Sequence, residues 1–281
     1  MRRLWESLFT PTWAAPWAVF RLAFVLAGLL THGPRVFSIG DAYASPDLHL
    51  ASSTDRFGTF IDGDPTVAAA TWALGMLGLG ALAWGGRLAR PGVLLFLVAF
   101  WGLVSAEAAN SKAYDRLLLL DGVALAVGPV SARNPARTWR SPLGRQLLML
   151  VFMGLYASTG LTKLFASPEG WWSGRNLAFA LVDPSFGSTE IGVWLSGSNP
   201  LMRVLSVGTI AFEVLFAPLI LFRRTNPVIL LLGVGFHLGT ALTMHVGTFP
   251  WVALCAYPAM LHPDVARGVY ERIRSRWRAD G

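Results

Sequence analysis

The sequence predicts an all-α integral membrane protein, a polytopic bundle of about eight transmembrane helices with both termini cytoplasmic. Three observations carry that expectation. Hydrophobic residues make up 54% of the 281 positions and charged ones only 14%, against about 25% charged in soluble domains. The apolar residues form long runs without two-residue alternation, so helices rather than a closed barrel satisfy the backbone in lipid. The basic residues stand in short blocks between alternate runs, as loop charges do in a multi-pass protein.

A span needs about 20 apolar residues to cross roughly 30 Å of hydrocarbon. The runs that qualify are 15–33, 65–86, 91–110, 114–131, 145–165, 200–222, 226–246 and 248–262. The last is short and holds Pro250 and Pro258. Breaks fall at Gly33-Pro34, Pro65, Gly85-Gly86, Pro91, Pro129, Pro200 and Pro227, where glycine or proline ends a helix. The first run follows Met1-Arg2-Arg3 but contains Arg21 and shows no clear small-residue cleavage site, so it reads as a retained signal anchor.

Loop charges give the orientation. Inner segments hold Arg2, Arg3, Arg87, Arg90, Arg133, Arg137, Arg140, Arg145, Arg223 and Arg224, and then five arginines from Arg267 to Arg278: 15 of the 23 basic residues. Outer segments carry Asp41, Asp47, Asp55, Asp62, Asp64, Glu169, Asp183 and Glu190. That asymmetry predicts a multi-pass protein with its termini inside, and the expected location is the inner cell membrane. It also explains the net charge of +7 without nucleic acid, since 21 of the 23 basic residues are arginines in inter-span blocks. The domain reading is a membrane domain over 1–262 and a basic tail over 263–281. In the tail, Val265, Val269, Ile273 and Trp277 recur every four residues, the pattern of an amphipathic helix lying on an anionic leaflet. The outer segment 166–199, with Trp171, Trp172, Phe179 and Trp194, reads as an interfacial or re-entrant element.

Ionisable groups inside or beside spans are the informative residues. Each costs about 2.5 kcal/mol or more at the bilayer centre and needs a partner or a cavity. Glu107, Asp115, Arg116, Lys163 and His245 stand at span ends that face outward, with Asp121 and His237 deeper, so an outer polar cavity is expected. Lys163 ends the small, polar turn Ala157-Ser158-Thr159-Gly160-Leu161-Thr162. Desolvation makes such a lysine a general base, and the alternative is an ammonium that snorkels to the headgroups. His237 reads equally as a proton relay or as a hydrogen-bonded helix histidine. His237 and His245, about 80° apart on a helix, could share a wall. Arg21 and Glu213 sit at comparable depth and are expected to form a structural pair. Cys255 reads as a packed thiol, and no metal is expected.

Three blocks give these segments a family resemblance: Gly160-Leu161-Thr162-Lys163-Leu164 followed by Trp171, Trp172 and Gly174; Phe212-Glu213 with Pro218 and Arg223-Arg224; and Phe236-His237 continuing to Gly247-Thr248-Phe249-Pro250. In order and spacing they resemble the horizontally transferred transmembrane (HTTM) domain, the membrane portion of vitamin K-dependent γ-carboxylase and its bacterial relatives. The resemblance implies that Lys163 is the base that deprotonates a reduced isoprenoid quinone, a vitamin K-like cofactor, and that His237 assists in the same cavity. Two departures accompany it. The chain ends after its last span, without the carboxylase's lumenal domain, and it has one lysine where the carboxylase has a pair. The expectation is therefore a quinone- or lipid-handling site, with Trp171 and Trp172 among its cavity residues, rather than protein γ-carboxylation. Membrane lipids are the expected partners, with a peptide or protein substrate on the outer face. A non-catalytic maturation or export partner of a peptide stays open beside the enzyme, and transport ranks third.

Overall fold

The structure is a computed structural model and describes residues 8–44, 61, 64–106, 111–131, 139–186 and 188–279. In chain order the helices are α1 (Ala15–His32), α2 (Pro65–Trp84), α3 (Ala89–Ala106), α4 (Ala113–Val127), α5 (Leu143–Phe165) and α6 (Pro168–Trp172). They continue with α7 (Arg175–Val182), α8 (Glu190–Ser196), α9 (Asn199–Ile220), α10 (Asn226–Thr243), α11 (Phe249–Met260) and α12 (Pro263–Ala279). Each of the eight apolar runs coincides, to within a few residues, with one of these helices.

Local chemistry sets the ends. Asp64 caps α2, accepting from the backbone N–H groups of Thr66 (2.7 Å) and Val67 (3.3 Å), with Pro65 in the first turn where no N–H is needed. Gly85 closes the same helix at φ +83°, a conformation that side chains disfavour. Prolines open α9 and α10 in the same way.

Among the described residues, six helical segments are long and apolar enough to cross a membrane: Ala15–Tyr43, Pro65–Trp84, Gly86–Ala106, Leu143–Phe165, Asn199–Ile220 and Asn226–Thr243. The fourth and eighth runs form shorter helices, α4 with 15 residues and α11 with 12, spanning about 22 and 18 Å at 1.5 Å per residue. The packing is that of a protein dissolved in lipid. Leu26, Leu77, Leu150 and Leu231 point outward, Leu231 71% exposed, from helices with no water-compatible face to offer instead. The chain is an all-α, multi-pass membrane protein in contact with lipid.

The helices fall into two compact units. One comprises Pro11–Leu148 with Trp251–Ala259. Its interior is an aromatic ladder in which Trp17, Phe20, Phe24, Phe96 and Phe100 meet in sequence at centroid distances of 4.8–6.2 Å. Gly78 and Gly92 let α2 and α3 pack backbone to backbone, since a Cβ on Gly92 would lie 2.6 Å from Leu82 N and 2.7 Å from Gly78 O. Two short strands, Thr12–Trp13 and Trp139–Arg140, pair antiparallel at one edge. The other unit is built on Met149–Pro250 and the segment from Met260. It carries α9, α10, α12 and the three short helices α6, α7 and α8. The segment 166–199 is thus a chain of short helices with Phe179 and Trp194 largely exposed.

In the second unit the buried Asn226 fastens the α9–α10 turn to the base of α12. Its amide nitrogen donates to Ile220 O (3.0 Å) and Met260 O (3.2 Å), and its oxygen accepts from His262 N (2.7 Å). One side chain thus satisfies three backbone groups at helix ends.

Candidate functional site

The last two turns of α5 are polar because Ser158, Thr159 and Thr162 can return their hydroxyl protons to the helix itself. Ser158 donates to Leu155 O (2.9 Å), Thr159 to Leu155 O (3.1 Å), and Thr162 to Ser158 O (2.7 Å). Their oxygens then serve as acceptors on the wall of a recess of about 310 Å³ lined by Ser158, Thr159, Thr162, Lys163 and Trp171.

Lys163 binds both oxygens of Glu213, each at 2.7 Å, and its Nζ lies 5.0 Å from the centre of the Trp171 ring. The carboxylate side chain is 6% exposed and the lysine 17%. Gly160 makes the pairing possible: a Cβ there would stand 2.9 Å from Glu213 Cβ and 3.1 Å from Val214 N, so only glycine lets α5 cross α9 at this level. Lys163 lies three residues on, on the face that Gly160 presses against α9. Trp171 is fixed from α6, where its carbonyl accepts the Ser206 hydroxyl at 2.6 Å. Gly174, at φ +82°, turns the chain against the backbone of Met202 and Arg203.

His237 is fully buried on α10, and its Nε2 shares a hydrogen bond of 2.6 Å with the Tyr156 hydroxyl of α5. Aromatic rings enclose the dyad, with Phe216 4.4 Å and Phe212 5.0 Å from Tyr156, and Phe249 5.7 Å from His237. The same two helices, α5 and α9, therefore frame both the Lys163–Glu213 pair and this buried dyad. Sequence reading passed over Tyr156. The available signal was spacing: Tyr156, Gly160 and Lys163 follow at four and three residues, one face of a helix.

The expected Arg21–Glu213 pair is corrected. Glu213 gives both oxygens to Lys163, while the Arg21 guanidinium lies against Gly85, where a Cβ would collide with it. Similar depth does not make two residues neighbours; the helix crossing at Gly160 chooses the partner.

The remaining expected site residues are distributed as follows. Asp115 is fully buried in the unit of α1–α4 and accepts two hydrogen bonds from Arg35 (2.9 and 3.1 Å) and one from Lys112 N (2.9 Å) at the start of α4. Arg35 also donates to Tyr43 Oη (3.0 Å), which in turn contacts His32 Nδ1 (3.0 Å), and His32 stacks on Phe100 at 4.0 Å. This network places Asp115 in a structural ion pair, and Arg35, His32 and Tyr43 were absent from the sequence-level site. Arg116, next along, is exposed. Asp121 is buried in α4, with Cys255 Sγ 3.8 Å from one of its oxygens. Trp172 is largely exposed, unlike its neighbour in the recess. His245 lies beyond the end of α10, which stops at Thr243; its backbone N–H donates to Phe186 O at 2.8 Å. It therefore does not share a helix wall with His237, because Met244 is already extended. Glu107 lies outside the described residues.

In the short-helix segment, outside the spans, Asp183 accepts from the Ser185 hydroxyl (2.6 Å) and backbone N–H (2.8 Å). These bonds hold its carboxyl below the usual aspartate value.

Compared with known proteins, the chain matches a family model, the HTTM domain, over residues 76–265. That stretch includes both the Lys163–Glu213 recess and the Tyr156–His237 dyad. No curated protein and no solved structure matches the chain.

Proposed function

Starting from a chain that belongs to the HTTM domain family, we propose that it is a membrane enzyme whose Lys163–Glu213 pair moves a proton on a membrane-dissolved amphiphile of the reduced isoprenoid quinone class. The observation that carries the reading is the pair itself, a lysine and a carboxylate joined at 2.7 Å on the wall of a recess that also holds an indole ring. Two charges so placed cost several kcal/mol of desolvation unless they neutralise each other or work.

The residues present suit such a head group. Trp171 offers an aromatic face, Ser158, Thr159 and Thr162 offer acceptors, and about 310 Å³ holds one substituted ring with its tail left to the lipid. A reduced quinone would supply an ionisable hydroxyl and two electrons. Passing one ammonium proton to Glu213 leaves a neutral amine beside a neutral acid. The amine lone pair of Lys163 then takes the hydroxyl proton. Its regained positive charge stays against the oxygen left behind, and Glu213 retains the proton first displaced. The Trp171 ring lies beside the ammonium, 5.0 Å from its nitrogen. His237, held by Tyr156, acts as the auxiliary group. In the topology proposed with this reading, eight spans cross the inner cell membrane, the termini are cytoplasmic, and the recess faces outward.

The test uses the full-length protein in lipid nanodiscs with a reduced isoprenoid quinone. Saturable binding, and an absorption signal of the bound deprotonated quinol that Lys163→Met and Glu213→Gln abolish without loss of the folded state, support the reading. An undiminished deprotonated-quinol signal in Lys163→Met refutes it.

A second reading rests on a different observation. Phe179 and Trp194 stand 66% and 75% exposed on the short helices of 166–199, which suits a docking surface for a peptide or protein partner of a non-catalytic membrane protein. Serine at both positions would then abolish partner capture, and Lys163→Met would leave it intact.

A further inference from the structure

Beyond the recess, the geometry points to α12 as a docking helix for an anionic bilayer surface. The first turn of α12 is anchored: His262, Pro263 and Ala266 are buried, and Asn226 holds the His262 N–H. Past that turn the helix stands clear. Val269 and Ile273, one turn apart, expose their side chains at 42% and 53% on a single stripe. Arg272 and Arg276 border one edge of that stripe and are exposed, while Arg267 lies about 160° around the helix from Val269 and about 120° from Ile273 at 100° per residue. Both acids near this face are already committed. Asp264 pairs with Arg223 at 3.4 Å, and Glu271 with Arg267 at 2.7 Å. Arg224, Arg272 and Arg276 are therefore left as a surplus of positive charge among the described residues of this face.

An apolar stripe edged by uncompensated arginines fits one kind of surface. The stripe enters the boundary between headgroups and chains, and the guanidinium groups meet lipid phosphates in forked hydrogen bonds. A neutral bilayer satisfies only the stripe. Each arginine brought against an anionic leaflet contributes about 1 kcal/mol, a factor of about five in occupancy, so Arg272 and Arg276 together supply about 25-fold. Because α12 is attached at its base to the α9–α10 turn, it is presented to the same membrane that holds those helices.

The experiment places an environment-sensitive dye on the full-length protein through Ile273→Cys, or through Arg267→Cys as the control on the opposite side. Nanodiscs are made of phosphatidylcholine alone or with about one third phosphatidylglycerol, and quenching by aqueous iodide is compared with quenching by headgroup-proximal nitroxide lipid. In anionic discs, the dye at 273 should be shielded from iodide and quenched by the lipid. High salt, or Arg272→Glu with Arg276→Glu, should reverse this, and the dye at 267 should stay open to iodide throughout. Equal iodide access at 273 in both lipids overturns the proposal. So does shielding in neutral discs that salt and the double charge reversal leave unchanged, since the arginines would then contribute nothing.

Discussion

Replacing Glu213 with leucine separates the ion pair from its shape. The substitution leaves the Lys163 ammonium with no carboxylate in a site where it is only 17% exposed. Two charges at this separation attract by about 6 kcal/mol at an effective dielectric of 20, and desolvation cancels much of that. Removing the acid should therefore cost about 3 kcal/mol, the lower end for a broken buried pair, because part of the ammonium can still reach polar surroundings. Lys163→Met should cost less, about 1 kcal/mol, since an unpartnered carboxylate can take up a proton and become neutral. The double variant Lys163→Met/Glu213→Leu removes both charges at nearly constant volume and should fall about 1 kcal/mol below the parent protein. The coupling energy is then about 3 kcal/mol. Reversible unfolding in mixed micelles of mild detergent and dodecyl sulfate would measure all four corners of the cycle. Costs that simply add, to within about 0.5 kcal/mol, would refute the pairing.

Three further expectations rest on particular contacts. Gly160→Ala pushes a methyl group into Glu213 and Val214 and should destabilise by about 1–3 kcal/mol in the same assay; a neutral result would mean that α5 and α9 are not in close approach. Tyr156→Phe removes the hydroxyl that binds buried His237 and should lower stability by about 1–3 kcal/mol, and an unchanged unfolding midpoint would refute the bond. For Asp183 the folded pKa is lowered, so its contribution is complete above the unfolded aspartate pKa and is lost as pH falls through the folded one. Ser185→Ala should shift that acid limb to higher pH, read by local hydrogen exchange around Phe186, and an acid limb that stays in place would contradict the assignment.

The helical runs were legible because a span is a one-dimensional property: length, hydropathy and a proline or glycine at the end. The choice of partners was not. Arg21 and Glu213 agree in depth, yet depth says nothing about azimuth or about which helices touch. That information sat in Gly160, a residue whose meaning is the absence of a side chain. Lys163 and Trp171, which the structure brings together, were singled out from composition and resemblance. Arg35 and Asn226 were not, because an isolated arginine or asparagine bears no spacing signature; its importance comes from the buried groups that it satisfies. The helix spacing between His237 and His245 does not apply, since α10 ends two residues before His245.

Fifty residues of chain separate Lys163 from Glu213, and this bears on how the protein is made. Synthesis delivers α5 to the membrane before α9 exists. During that interval the lysine must remain near the bilayer surface, within reach of headgroups, which its place two residues before the end of α5 permits. Only when α9 arrives can the ammonium be drawn inward onto its carboxylate. The recess is thus a late event in biogenesis, and a chain truncated between the two residues would leave the membrane with a lysine still waiting at its edge.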